Sequence, residues 1–277
     1  MARRLTNRFP SAYAKLQWAK RHIDQLDVQS NAYLRERLKL TVYRDFLGQN
    51  VMRVKQERAL PANFGLMIGD VATNLRATLD HIIWYLVSPH LSAGDREMDV
   101  AFPFPKTKER LKKSIEKALI DRAGPGAAMI IREIEPYPGG DEEICGLNAL
   151  ANMDKHRIVA IVSDFVQLHR VRRKIGDARK PIEFNDLRMG HGPGLARDIH
   201  IAGMGIRVGQ HGNIDHDQFD MTFHIMFSEG QPFSGLSVIP AMKKLAQRVE
   251  EILAKFDKAY PSQFAPGYFA EHAWSAR

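Results

Sequence analysis

The sequence has very little cysteine and no long apolar segment. Cys145 is the only cysteine among 277 residues, which excludes a disulfide within the chain and a cysteine-based zinc site, and favours a reducing compartment. No apolar run approaches the ~20 residues that a membrane-spanning helix needs, and the basic N-terminus lacks the apolar segment of a signal peptide. These absences predict a cytoplasmic protein that does not contact a membrane.

Several well-known catalytic motifs are also missing. The chain has no Gly-x4-Gly-Lys-Ser/Thr loop, no Gly-x-Gly-x-x-Gly segment after a strand and no Gly-x-Ser-x-Gly elbow. It has no His-x3-His or Glu-x2-His helix signature either. ATPase, nicotinamide-dependent and serine-hydrolase functions therefore have no support, and no cofactor and no bound metal are predicted.

Positive charge is what the sequence has in excess. Lysine and arginine number 40 against 32 aspartate and glutamate, so the formal net charge is +8 at pH 7. This balance favours acidic partners, including nucleic acid, although an ordinary basic cytosolic protein has the same composition. The basic stretches 106–117 and 169–180 could follow a phosphate backbone. Aromatic residues interleave with neither stretch, so they do not indicate a stacking platform for single strands.

Apolar periodicity predicts a protein built from long helices and several strands. The predicted helices cover about 10–29, 62–87, 141–156 and 238–258. Alternation of apolar and polar residues predicts a β-hairpin at 32–57, and later strands are expected at 158–168, 199–208 and 219–227. The predicted fold class is therefore α+β, with a helical core packed on one antiparallel β-sheet. A single domain is expected over 1–260, followed by a C-terminal tail at 261–277.

The predicted helix 62–87 carries more polar chemistry than an amphipathic helix needs. Opposite its apolar face lies a polar stripe made of Asp70, Asn74, Ala77 and His81. Arg76 and Asp80 lie one turn apart on a flank, in salt-bridge spacing. The pattern of Arg76, four residues and His81 resembles the Rx4–6H motif of the HEPN superfamily. These are helical domains associated with nucleic acids, and many of them are metal-independent ribonucleases.

The resemblance implies that two copies of the motif face each other across a dimer interface. Arg76 would hold the scissile phosphate and His81 would transfer protons, while Asp80 and Asn74 would orient them. The 2′-hydroxyl of the RNA would be the nucleophile. Five residues rotate side chains by about 140° on an ideal helix, so Arg76 and His81 would converge only across a dimer or through local bending. An Arg76–Asp80 ion pair and a structural His81 explain the same residues equally well.

A second polar cluster ends the predicted helix 141–156. Its members are Asn148, Asn152, Asp154, Lys155, His156 and Arg157. Gly-Asp-x3-Asn-Leu-Arg-x2-Leu-Asp-His at 69–81 and Asn-x-Asp-Lys-His-Arg at 152–157 together resemble a family of uncharacterised bacterial and phage proteins. That resemblance implies no activity. We expect this cluster to pack against the first stripe, including Asp70, as a polar seam that is either a structural network or a pocket.

The sequence thus predicts a HEPN-like metal-independent ribonuclease or RNA-binding protein, with RNA as its partner and a homodimer as its assembly. The first alternative is a non-enzymatic ligand-binding or interaction protein in which the polar seam is structural. The second is a metal-dependent hydrolase. Its ligands would be Asp70, His81, Asp154 and His156, whose spacing is not diagnostic of a metal site.

Overall fold

A computed structural model of the chain describes residues 8–44, 46, 50–56, 59–171, 187–188, 196–200 and 219–261, and the surroundings of side chains over 8–37, 46, 59–161 and 224–261. The described residues contain six α-helices: α1 (Pro10–Arg37), α2 (Ala62–Val87), α3 (Leu111–Lys117), α4 (Pro125–Ile134), α5 (Glu142–Asp154) and α6 (Val238–Ala259). Short 3-10 turns lie at Ser88–His90, Glu97–Asp99, Lys108–Arg110 and Ile120–Ala123. The four predicted long helices are confirmed, and α1 extends beyond its predicted end.

Six strands lie in the described residues: β1 (Leu38–Arg44), β2 (Asn50–Gln56), β3 (Ile161–Val171), β4 (Leu187–Arg188), β5 (Ala196–His200) and β6 (Phe219–Phe227). The predicted hairpin at 32–57 corresponds to β1 and β2, whose antiparallel register runs from Leu38 opposite Gln56 to Arg44 opposite Asn50. Residues 32–37 belong to α1 instead. Of the strand predicted at 199–208, residues 201–208 lie outside the described residues.

The predicted fold class, α+β with a helical core packed on an antiparallel sheet, is wrong. Among residues whose side chains are described, 69% are helical and 3% lie in strands, and no antiparallel sheet core is seen there. The strands do not join in one sheet, because they divide between a sheet of order β1-β2-β5 and another of order β4-β3-β6.

The chain divides into two compact units, which are described separately. The first unit comprises Met1–His22, Gly69–His156 and Met242–Arg277, and the second comprises Ile23–Ile68 and Arg157–Ala241. The single domain expected over 1–260 stays a prediction. Of the expected tail at 261–277, only Pro261 lies within the described residues.

The first unit shows why no sheet is needed for the core. Its described residues contain no strand, and its helices already bury their apolar faces. The predicted apolar face of α2 is confirmed, since each of its members is at most 5% exposed: Val71, Leu75, Leu79, Ile82, Ile83 and Leu86 in this unit, and Ile68 in the second. Full burial of such a side chain contributes about 1.5–3 kcal/mol to the free energy of unfolding. The packing of helices on one another therefore provides the apolar burial that was predicted to come from packing on a sheet.

Two contacts fix how α1 lies against α2 in the first unit. The ring of Phe9, just before α1, meets the ring of Tyr85 at 5.2 Å between centroids. Lys15 Nζ donates a hydrogen bond to Asn74 Oδ1 at 3.1 Å. Residue numbers rise along α1 while they fall along α2, so the two helices run antiparallel.

A membrane-crossing helix is not among the described elements. None of the helices over the described ranges combines the length and the apolar character that crossing a bilayer requires.

Candidate functional site

The surface of α2 that does not face the core has two flanks. At about 100° per residue, Asn74 and His81 share one flank, and Arg76 and Asp80 share the other. Ala77 lies between the flanks on the same helical projection. Because the Ala77 side chain is small, the polar side chains of the two flanks extend further from the helix than it does.

The first flank faces α1. Lys15 Nζ donates to Asn74 Oδ1, while Asn74 Nδ2 donates to the backbone oxygen of Asp70 at 2.7 Å. The Thr78 hydroxyl donates to the backbone oxygen of Asn74 at 3.0 Å. Because the amide of Asn74 is used at both ends, its side chain is fixed, and Asn74 in turn fixes the position of the Lys15 ammonium.

His81 lies half-buried on this flank, seven residues along α2 from Asn74 and within the electrostatic range of that ammonium. Burial lowers the pKa of His81 below its ordinary value, the charge of Lys15 lowers it further, and the charge of Asp80 opposes the change. A lowered pKa keeps the imidazole neutral near pH 7, which is the form that accepts a proton. The first flank therefore combines a proton acceptor with a cation.

The second flank holds a loop in place. Asp80 Oδ1 accepts a hydrogen bond from the backbone N–H of Phe102 at 3.0 Å. The guanidinium of Arg76 lies over the ring of Phe104, 5.5 Å from its centroid, and the rings of Phe102 and Phe104 are 5.1 Å apart. These contacts fasten the Phe-Pro-Phe-Pro segment at 102–105 to α2.

Burial sets the charge balance of the second flank. Burial raises the pKa of Asp80, against the opposing effects of the Arg76 charge, the Phe102 hydrogen bond and the charges of His81 and Lys155. Arg76 Nε is buried and has no hydrogen-bond partner. Arg76 and Asp80, the two predicted partners of His81 on this flank, thus both contact the 102–105 segment. A structural role for these two residues explains those contacts.

α5 reaches α2 at a glycine. All three atoms of the Asp154 carboxyl group lie within 2.7 Å of the position that a Cβ at Gly69 would occupy. Burial raises the pKa of Asp154, and the charge of Asp70 raises it further. Only glycine at position 69 leaves room for this carboxyl group. The α5 end of the predicted seam therefore meets the start of the Gly-Asp motif through close packing.

The other polar residues of α5 bond mainly to one another. α5 begins after Asp141, whose carboxylate accepts a hydrogen bond from the Ile144 backbone N–H at 3.0 Å. Near the other end, Asn152 Nδ2 donates to Asn148 Oδ1 at 3.3 Å, and Lys155 Nζ donates to Asn152 Oδ1 at 3.2 Å. The structure thus pairs these amides along α5, while Asn74 turns toward α1.

The remaining predicted residues lie toward solvent. The side chains of Asp70, His156 and Arg157 are exposed, and Arg157 belongs to the second unit. Within the part of the chain that the structure describes, no three or more His, Cys, Asp or Glu side chains form a group that could hold a metal ion. The set proposed for a metal hydrolase is not assembled there.

Two residues of this site were missed in the sequence. Lys15 belongs to the helix predicted over 10–29, for which no site residue was proposed, and it meets Asn74 across 59 positions of the chain. Phe104 lies outside every predicted element and was not proposed as a site residue either. The signal that was available is the position of Lys15 beside the apolar stripe of α1, where a long side chain can reach a neighbouring helix.

Comparison with known proteins adds no relative to this description. The chain matches no protein-family model, no curated protein and no solved structure.

Proposed function

We propose that this protein is a cytoplasmic, metal-independent ribonuclease in which His81 transfers protons and Lys15 contacts the reacting phosphate. The observation that carries the proposal is a half-buried imidazole on the same flank as an ammonium that Asn74 holds in place, with burial and the Lys15 charge both lowering the pKa of His81. A proton acceptor and a fixed cation are the two groups that phosphodiester transfer within RNA requires. The resemblance of the Arg76 to His81 segment to HEPN domains supports the same reaction class.

The reaction balances without another reagent. His81 takes the proton of the ribose 2′-hydroxyl, and the 2′-oxygen forms a bond to the adjacent phosphorus. The bond from phosphorus to the 5′-oxygen breaks, and that oxygen takes the proton back from the imidazolium. The products are a 2′,3′-cyclic phosphate and a 5′-hydroxyl. Lys15 offsets the negative charge that grows on the phosphate oxygens.

Arg76 and the homodimer belong to this proposal as well. Side chains five residues apart diverge on one helix, so Arg76 serves as a phosphate clamp for the His81 of a second copy. The guanidinium lies over the Phe104 ring, and its charge partly offsets that of Asp80 in the same subunit. In the dimer, Lys15 and the Arg76 of the other copy hold the same phosphate.

The test is cleavage of RNA in the presence of EDTA. We expect wild-type protein to cleave, His81→Ala to lose about 10²–10⁴-fold in rate, and Lys15→Gln to be slowed as well. His90→Ala and Lys258→Gln are matched controls, because both side chains are exposed and belong to the same unit. RNA that survives wild-type protein, or a His81→Ala rate equal to that of His90→Ala, contradicts the proposal.

A non-enzymatic RNA-binding protein is the second candidate. The observation that favours it is the use of Asp80 and Arg76 to hold residues 102–104, which leaves one flank of α2 as scaffold. This candidate predicts that the protein binds RNA and leaves it intact in EDTA. It also predicts that Lys15→Gln weakens binding while His81→Ala leaves it unchanged at neutral pH, where the imidazole carries no charge.

A further inference from the structure

Two tryptophans lie exposed on the helices that form the candidate site. Trp18 on α1 is 47% exposed and Trp84 on α2 is 41% exposed. Large aromatic side chains are more commonly covered, and both of these belong to the first unit together with Lys15 and His81. Exposed rings next to a proposed phosphate site suggest contact with nucleobases.

Trp18 carries positive charge around its ring. The Arg21 guanidinium lies 4.9 Å from the centroid of the Trp18 ring, and the His22 ring lies 4.9 Å from it on a tilted plane. Lys15 precedes Trp18 by three residues, so the two side chains are neighbours on α1. The hydrogen bond of Lys15 to an amide and the contact of Arg21 with a ring leave both positive charges available to phosphate.

Trp84 stands next to His81. The two residues are three positions apart on α2, so their side chains are about 60° apart on the helix and about 4.5 Å apart along its axis. Trp84 therefore lies on the solvent side of the first flank, one turn beyond the imidazole.

The antiparallel arrangement puts the two rings at opposite ends of the candidate site. Phe9 meets Tyr85 and Lys15 meets Asn74, so moving from Lys15 to Trp18 leads away from His81 along α2. Trp84 lies on the other side, beyond His81. Along the common direction the order is Trp18, the Lys15–Asn74 pair, His81 and Trp84.

We infer that Trp18 and Trp84 stack on unpaired nucleobases on either side of the reacting phosphate, so that the substrate is single-stranded RNA. This inference rests on the proposed function for its location. Stacking is sequence-tolerant, because every base has a flat aromatic face, and a duplex hides those faces. Lys15 lies between the two rings in this order and Arg21 lies on the outer side of Trp18, so the two cations match backbone phosphates on both sides of a base stacked on Trp18.

The test measures binding separately from cleavage. The probe is a fluorescent single-stranded 2′-O-methyl oligoribonucleotide, whose blocked hydroxyl cannot attack. We expect Trp18→Ala and Trp84→Ala each to raise its Kd by about 5- to 150-fold, and Trp18→Phe and Trp84→Phe to retain most of the affinity. Met129→Ala is the matched control, because this apolar side chain is 55% exposed on α4 of the same unit. A duplex of the same sequence should bind less tightly.

The outcomes separate this inference from the proposed function. If both alanine variants bind like wild type, or if the duplex binds as tightly as the single strand, stacking is refuted whether or not RNA is cleaved. If the probe binds through both tryptophans but RNA survives in EDTA, the ribonuclease proposal fails and the stacking surface stands. If RNA is cleaved, the variants should raise KM more than they lower kcat, and an unchanged KM also refutes stacking.

Discussion

Replacement of Gly69 by alanine tests the closest approach of α5 to α2. All three atoms of the Asp154 carboxyl group lie within 2.7 Å of the position that the new Cβ would take. Nonbonded atoms do not approach so closely, so in Gly69→Ala the carboxyl group must move or the end of α5 must shift. Gly69 has ordinary helical surroundings within α2, and the backbone itself accepts alanine there.

Two free-energy terms of opposite sign decide the result. Alanine in place of glycine inside a helix stabilises by about 0.5–1 kcal/mol. The new methyl group meets only the end of a partly buried side chain, so its cost lies near the lower end of the about 1–3 kcal/mol of overpacking. The two terms nearly cancel, and we expect Gly69→Ala to change the free energy of unfolding by less than about 0.5 kcal/mol. In a background that carries Asp154→Ala the carboxyl group is gone, so the same change should stabilise the protein by about 0.5–1 kcal/mol.

A double-mutant cycle isolates the steric term. The helix-propensity gain is the same in both backgrounds and cancels, so the coupling energy between the two substitutions equals the cost of the clash, about 1 kcal/mol. Urea unfolding followed by helical circular dichroism measures all four proteins, with an unchanged m value as the check that only stability has changed.

Gly65 supplies the matched control for this cycle. A Cβ at Gly65 would lie 2.5 Å from the backbone oxygen of Val159 and 2.6 Å from the Ile158 side chain. Gly65→Ala should therefore destabilise equally with and without Asp154→Ala. A coupling energy near zero, so that Gly69→Ala has the same effect with and without Asp154→Ala, would refute the contact.

Two further predictions concern the flanks of α2. Asp80→Ala leaves the Phe102 N–H without its acceptor and should cost about 1–3 kcal/mol in urea unfolding, whereas Asp80→Asn keeps an acceptor oxygen without a buried charge and should cost less. Equal losses would contradict this. His81 has a lowered pKa, so the unfolded chain binds more protons below neutral pH, and stability should fall as pH drops through the ordinary histidine pKa. His81→Gln should remove that slope, and an unchanged slope would contradict it.

The helices could be predicted because their apolar faces are long and regular. α2 begins at residue 62 and ends at 87, as its pattern indicated, since Pro61 precedes it and Pro89 follows its end. α1 was predicted too short. Its apolar face continues past 29 through buried Ser30, whose hydroxyl donates to the Asp27 backbone oxygen, and buried Leu34. A short run of residues can fit the helical period of 3.6 and the strand period of 2 at the same time. Residues 32–37, which were assigned to the hairpin, are such a run, and they belong to α1.

The sheet could not be predicted because alternation does not say which strands pair. β2 pairs with β5, across more than 140 positions of the chain, whereas β3 pairs with β4 and β6. Alternation in the sequence indicates which face of each strand is solvent-exposed and which is buried, but the register and the partner strand depend on tertiary contacts. The same limit explains the core: periodicity showed which helix faces are apolar and not which element covers them.

For the candidate site, the sequence could predict which side chains are neighbours on the same helix. It could not predict which side chains from different parts of the chain come into contact. The sequence indicated the stripe from Asn74 to His81 because both lie on α2 at fixed helical angles. It could not indicate that Lys15 would reach Asn74, or that Phe102 would donate to Asp80, because each contact joins distant parts of the chain. The cluster at 148–156 was expected to meet His81, yet its amides have the correct spacing to bond to each other along α5.

The two residues of the Arg-x4-His motif differ in what they are free to do. Arg76 has a buried Nε and a ring beneath its guanidinium, and its charge offsets that of Asp80, a partly buried carboxylate that holds the loop. Moving the guanidinium away would leave this partly buried charge without that compensation. His81 is half-buried on the other flank, and none of the contacts that hold residues 102–104 involves its side chain. The arginine is therefore tied to the loop of its own subunit, whereas a change in the protonation of the histidine leaves that loop in place.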